Sequence, residues 1–375
     1  MIYLDNAATT KPLDSGVKYA EKYLYENFYN PSALYAEGYK LHRELAQSRT
    51  NILQTICNPK DFQLIITSCG TEADNQALFC GGKRGNVVIT GGEHSAVFSC
   101  VNGLKDRGVE VRIAKLNGDG SVNIDNLLSL VDAKTSLVSV IHVNNETGAI
   151  NDINSIAKAV KSKNFRVLFH SDGVQAFGKI PFRLGEYVDL YSVSAHKIGA
   201  AKGTGALFRR KSCSILSYIC GGGQEDGLRS GTENVFGIKL FEYAALYRHE
   251  NLDKNFAHIK ELNTKMRSLL DKDLFTIVSP QYGSPYILSV IARGVRGEII
   301  LHEVNDKGLI VGTGSACSSN EKKRYSRVIL ACGIDETSAD GVLRISFCPE
   351  NTIEEVVKAA EILNTTVKTR REIME

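Results

Sequence analysis

Short, mostly apolar segments punctuate the first two-thirds of this 375-residue chain. They fall at Leu64–Thr67, Val87–Thr90, Val109–Ala114, Leu137–Val143, Val167–His170, Leu190–Val193 and Gly205–Phe208. A strand buried on both faces reads as such a run, whereas a half-exposed strand alternates. Between several of them lie amphipathic stretches with helical spacing, such as Ile153–Ser162. Strands alternating with helices predict an α/β fold, with a mostly parallel seven-stranded sheet covered by helices on both faces. One long helical pattern then runs from about Val235 to Leu270. Beyond it the texture becomes strand, helix, Gly-rich loop, strand, helix, which predicts a second, smaller α+β domain.

Composition narrows the class. The chain is 43% hydrophobic and 23% charged, ordinary for a water-soluble globular protein. Its 45 basic and 42 acidic residues nearly cancel, so neither a nucleic-acid footprint nor a membrane-binding face is expected. No apolar run approaches the ~20 residues of a membrane span. Met1–Asp5 has no charged segment leading into an apolar one, so no targeting peptide is expected. Nine scattered cysteines, with no Cys-x-x-Cys pair, argue against a disulfide framework and a zinc site. A reducing cytoplasm fits this usage best.

In such a sheet, ligands sit at the carboxyl ends of the strands. Four segments there carry candidate chemistry. Thr67-Ser68-Cys69-Gly70-Thr71-Glu72 passes from strand to helix, and small residues let the Gly70 and Thr71 amides approach an anion. The same residues also read as an ordinary helix cap with a trailing glutamate. Ser192-Val193-Ser194-Ala195-His196-Lys197 runs from a buried strand into a lysine. Partial desolvation would free that amine for a Schiff base, although most lysines after strands are merely solvated. Asp172, in His170-Ser171-Asp172-Gly173-Val174-Gln175, could pair with a pyridinium nitrogen or simply cap a helix. His94 could stack on a flat ring, move a proton or cap the helix it precedes.

A fifth segment, Gly312-Thr313-Gly314-Ser315-Ala316-Cys317-Ser318-Ser319-Asn320, predicts a mobile loop that exposes a thiol. The basic run Lys322-Lys323-Arg324 just beyond could lower the pKa of Cys317, and equally reads as a solvated loop. The other cysteines lie mostly in apolar or helical contexts and read as small buried hydrophobes.

Taken together, the segments make the chain resemble the NifS/IscS-type cysteine desulfurases, within the class V aminotransferase group of fold-type I pyridoxal-phosphate enzymes. The likeness is carried by Tyr3-Leu4-Asp5-Asn6-Ala7-Ala8-Thr9-Thr10, Asn30-Pro31-Ser32, Gly70-Thr71-Glu72-Ala73-Asp74-Asn75, Glu93-His94 and Asn144-Asn145-Glu146-Thr147-Gly148. It continues through Ser194-Ala195-His196-Lys197, the stretch from Gly221 to Asn234 and Gly314-Ser315-Ala316-Cys317. The resemblance implies a large cofactor-binding domain over 12–250, and a small domain formed by 1–11 with 251–375. It also implies roles for residues. Lys197 would carry pyridoxal 5'-phosphate and then move protons, with His94 stacking on the ring. Asp172 would pair with the ring nitrogen and Gln175 with the phenolic oxygen. Gly70, Thr71, Ser194 and His196 would bind the phosphate, joined by Thr232 from the second subunit of a homodimer. Asn145, Arg344 and Asn30 would hold the L-cysteine substrate. Cys317 would accept the sulfur as a persulfide, for delivery to an iron–sulfur scaffold or a tRNA-thiolation enzyme.

The chain departs from the family pattern at Cys69, Tyr35, Ala200-Ala201 and Glu321–Ser326, which bears on substrate preference and partner choice. A selenocysteine lyase or β-lyase would share the cofactor residues, and only the cysteine loop argues against one. A non-catalytic relative is disfavoured by the full set of cofactor positions. A dinucleotide-binding oxidoreductase is excluded, since no Gly-x-Gly-x-x-Gly follows the first strand.

Overall fold

The structure, a computed structural model, describes residues 1–313 and 325–374. The N-terminal strand β1 (Ile2–Tyr3) belongs to the smaller part of the molecule. Seven strands follow and build one sheet: β2 (Phe62–Thr67), β3 (Asn86–Thr90), β4 (Glu110–Ala114), β5 (Thr135–Ser139), β6 (Leu168–Asp172), β7 (Leu190–Ser194) and β8 (Gly205–Arg210). Their order is β2-β8-β7-β6-β5-β3-β4, and β8 alone runs antiparallel to its neighbours. Each matches one of the apolar runs in the sequence. β3 and β7 are buried at all five positions, which is why their sequences do not alternate.

The remaining strands are β9 (Phe275–Ile277), β10 (Ile287–Ala292), β11 (Leu309–Ile310) and β12 (Val342–Ser346). β12-β10-β9 form an antiparallel sheet, while β1 pairs in parallel with β11. One apolar cluster unites Ile2, Leu4 and Ala7 with Leu262, Leu288, Leu343, Ile345 and Leu363. The first residues of the chain are therefore cored largely by its C-terminal third.

The long helical pattern divides into Val235–Glu250 and Leu252–Leu269, which corrects the single helix expected there. Asn251 makes the break, with its side-chain amide donating to the Tyr247 carbonyl at 2.9 Å. A side chain that offers such a local bond competes with the helix ladder. The apolar spacing continues past the break, so periodicity alone does not show it.

Candidate functional site

The carboxyl ends of β2, β6 and β7 converge, with Asp172 in register with Ser192, and Ser194 with Gly205. The Gly70–Gly81 helix starts above them without a side-chain cap, since Cys69 makes none. Its first amides have no intrahelical partner and point toward the pocket, where an anion is favoured. Gly70 is required by close approach: a Cβ there would lie 2.9 Å from Val174 Cγ2 and 3.3 Å from Ser194 Cβ. Glu72 reaches back to the Ser68 N–H at 2.7 Å, so the cap-like reading of this turn also holds.

Asp172 ends β6 almost fully buried, with one oxygen accepting from the Val174 N–H at 2.9 Å. Burial pushes its carboxyl up to about 6, against the pull of that N–H and of the Lys197 ammonium. Asp74 lines the same pocket, fully buried, with Oδ1 lacking a hydrogen-bond partner. Burial, then repulsion from Asp172, holds Asp74 well above the usual carboxylate range. Behind them His170 is wedged between the hydroxyls of Ser139 (2.8 Å) and Ser192 (2.9 Å), and burial brings it down to about 3. Two buried carboxylates beside a neutral imidazole are costly unless a cation or a proton donor joins them. A protonated pyridine nitrogen is such a group.

Lys197 closes the short turn after β7, and its Nζ donates to the carbonyls of Ala7 and Ala8, both at 2.7 Å. The same N-terminal segment holds His196, whose Nδ1 lies 3.0 Å from Thr9 Oγ1. His94 caps the Ser95–Phe98 helix through Nδ1, which accepts from the Ala96 N–H at 3.1 Å and leaves the Nε2 proton for the pocket. Burial, then the positive field of Lys197, lowers His94 to about 4, so the ring is neutral near pH 7.

On the opposite wall, Arg344 is buried at the centre of β12. Its Nη2 pairs with Asp5 at 2.9 Å and its Nη1 donates to the Asn145 carbonyl at 3.1 Å. Arg344 Nε and Asn145 Oδ1 are both buried without partners. A free donor and a free acceptor facing one pocket suit the carboxylate and ammonium of an amino acid.

The structure thus brings Gly70, Thr71, His94, Asn145, Asp172, Gln175, Ser194, His196, Lys197 and Arg344 around a single pocket. Asn30 and Thr232 are exposed and lie outside it within one chain. Cys317 and the Lys322–Arg324 run lie outside the described residues. Just before them, Gly312 exchanges both backbone hydrogen bonds with Arg344, at 2.9 and 2.8 Å. Just after them, Arg327 donates to the carbonyls of Gly91 and Glu93, and stacks 3.6 Å from the Phe98 ring centroid. Both flanks of the cysteine segment are therefore anchored to the pocket walls.

Sequence reasoning missed Asp5, Asp74 and the Ala7 and Ala8 carbonyls. Asp5 and Asp74 stood inside matching motifs without a role, and their burial was the missing signal. The carbonyls leave no side-chain signature at all.

Comparison with known proteins agrees with this arrangement. The family model described as "Aminotransferase class-V" matches residues 2–358. A relative named cysteine desulfurase from Trichormus azollae is 32% identical, over 99% of this chain and 94% of its own. One named cysteine desulfurase IscS, from Clostridium botulinum (strain Hall), is 32% identical over 99% and 96%. A solved structure titled "NIFS-LIKE PROTEIN" superposes with a TM-score of 0.91 at 32% identity, covering 98% of this chain and 99% of that one. A NifS-like protein from Rickettsia africae ESF-5 gives 0.90 at 28% identity, over 98% and 99%.

Proposed function

The chain belongs to the class-V aminotransferase family, and on that footing we propose that it is a pyridoxal-phosphate-dependent cysteine desulfurase. It takes sulfur from L-cysteine, leaves L-alanine and carries the sulfur on Cys317 as a persulfide. The observation that supports this most is the pairing, in one pocket, of a strand-end lysine amine with a buried carboxylate opposite an uncapped helix N-terminus.

The donor set suits the cofactor. The Gly70 and Thr71 amides, the Thr71 and Ser194 hydroxyls and the His196 ring would hold the phosphate. Asp172 would keep a proton on the ring nitrogen, and Gln175 would bond the phenolic oxygen. When bound, pyridoxal phosphate supplies an electron sink for the substrate's carbon skeleton. The Arg344 Nε and the Asn145 Nδ2 amide would donate to the substrate carboxylate, which aims the thiol side chain along the pocket. Lys197 Nζ takes and returns the α-proton, and the neutral His94 ring passes a proton at Nε2. Cys317 Sγ, as thiolate, attacks the substrate sulfur. The S–S bond forms as the Cβ–S bond breaks, and the electron pair left on Cβ takes a proton to become alanine's methyl group.

We assign residues 12–250 to the cofactor-binding domain, and 1–11 with 251–375 to the smaller one. The shared core of Leu4 with Leu343 and Ile345 supports that division. Thr232 would reach the phosphate of the second subunit in a homodimer, and its exposure outside the pocket of its own chain is compatible with that role. The sulfur passes to an acceptor protein, either an iron–sulfur scaffold or a tRNA-thiolation enzyme, in a reducing cytoplasm. Eight free cysteines among the described residues suit that compartment. No helix among the described residues is long and apolar enough to cross a membrane.

The test is direct. Cofactor-loaded protein given L-cysteine yields alanine, and mass spectrometry finds one added sulfur on the Cys317 peptide. Lys197→Ala loses the visible cofactor band, and Cys317→Ala loses turnover of cysteine. Alanine formation at an undiminished rate in Cys317→Ala would overturn the persulfide step and favour a β-lyase.

A further inference from the structure

Gln175 meets the pocket with one side of its amide, and the other side faces Lys179. The turn-rich segment after β6 sets both residues on one side, with backbone bonds from Ala176 N to Gly173 O and from Ile180 N to Ala176 O. Lys179 is buried, and its Nζ donates to Gln175 Oε1 at 2.7 Å. It also lies 5.9 Å from the Tyr286 ring centroid. The groups that set its electrostatics are three cations, Lys197, Arg248 and Arg344, together with the Cys348 thiol. Burial, then those cations, holds its amine well below the usual lysine range. Such a position is a standing cost to stability, and among the described residues its short polar bond goes to Gln175.

The consequence is chemical. Lys179 Nζ is the donor in this contact, so the amide atom facing it is the oxygen. The amide nitrogen is then left for the pocket side, and it carries two protons. One goes to the Ala7 carbonyl at 2.9 Å, an acceptor shared with Lys197 Nζ. The other remains for a group in the pocket.

We propose that Lys179 is a positioning residue for the cofactor: it locks the Gln175 amide so that an N–H, and never the carbonyl, meets the ring's phenolic oxygen. This rests on the reading of Gln175 as a cofactor ligand. With Lys179 removed, the Ala7 bond alone orients the amide, which then spends more time with its oxygen lone pairs turned on that anionic oxygen. The proton affinity of the bound chromophore then rises.

The experiment is a pH titration of the visible band of pyridoxal phosphate bound to the wild-type protein, Lys179→Met, Gln175→Ala and the double variant. Lys179→Met moves the midpoint up by about 0.5–1 pH unit. Gln175→Ala also moves it up, and Lys179→Met adds nothing further in that background, because the lysine acts through the amide. Lys179→Leu gives the same shift, so a folding defect peculiar to one substitution does not decide the result. An unchanged midpoint in both Lys179 variants beside a normal wild-type band overturns the inference alone. So does a Lys179→Met shift that adds in full to that of Gln175→Ala. A wild-type protein with no visible band overturns the cofactor reading, and this inference with it.

Discussion

Gly173, next to Asp172, is the tightest position in the site. A Cβ there would lie 1.9 Å from Tyr191 Cζ and 2.2 Å from Tyr191 Oη. Tyr191 is fully buried, with its ring centroid 5.5 Å from that of Phe182 and 6.2 Å from that of Phe208. Its hydroxyl lies 2.9 Å from His142 Nδ1. In Gly173→Ala the ring must retreat by roughly 1.5–2 Å to restore a normal carbon–carbon contact. Overpacking of this kind costs ~1–3 kcal/mol. Breaking the Tyr191–His142 bond, and stranding both polar atoms, adds ~1–3 kcal/mol. The expected loss is therefore about 2–6 kcal/mol by urea unfolding. If the backbone yields instead, Asp172 moves, and cofactor affinity falls by about tenfold or more. Tyr191→Leu opens the space, so the double variant should be more stable than the sum of the single losses predicts, by at least ~1 kcal/mol. The reasoning is refuted if Gly173→Ala unfolds and binds cofactor as the wild type does. It is equally refuted if the two substitutions are strictly additive.

Three further outcomes are expected. Arg344→Lys raises KM for cysteine by about 10–100-fold with a smaller change in kcat, because it removes the planar donors that hold the carboxylate; steady-state kinetics reads both. Glu93 is buried, and burial pushes its carboxyl up to about 8 although Thr90 and the Ile141 N–H bond it. The unfolded chain then binds fewer protons between the ordinary glutamate range and pH 8. In that window Glu93 subtracts up to about 1.4 kcal/mol of stability per pH unit as pH rises. Glu93→Gln removes that slope, and unfolding curves at pH 5, 6.5 and 8 for the two proteins test it. Finally, Thr232→Ala and Lys197→Ala proteins, each impaired, recover activity when unfolded and refolded together. A mixed dimer rebuilds one whole site from Lys197 of one subunit and Thr232 of the other, and failure to recover counts against a shared site.

The sheet was legible because burial on both faces leaves mostly apolar runs in its inner strands, while the edge strand β4 alternates apolar residues with Glu110 and Arg112. The pocket was legible in large part because its side chains follow strand ends, where Gly70, Asp172, Ser194 and Lys197 stand in compact motifs. What escaped notice lacked a local trace. The break at Asn251 turns on one side-chain bond inside a continuous apolar pattern. The Asp5–Arg344 pair joins opposite ends of the chain. Asp74 and Glu93 are made weaker acids by surroundings assembled only in three dimensions. Asn30 and Thr232 stand outside the pocket because one chain presents them on its surface.

The seating of Lys197 on the Ala7 and Ala8 carbonyls bears on how the molecule matures in the cell. Those carbonyls are fixed by Ile2 and Tyr3 pairing with Leu309 and Ile310, and by the Asp5–Ser346 bridge. On the ribosome, the opening residues must wait for partners some 300 positions downstream. At ~5–20 residues per second that delay is about 15–60 s. The sheet and its lysine can form earlier, so an incomplete nascent chain carries a reactive amine without its carbonyl seat. The carbonyl seat of Lys197 therefore forms only after Ser346 has been made, and an N-terminal tag that hinders the Ile2 strand should delay it further.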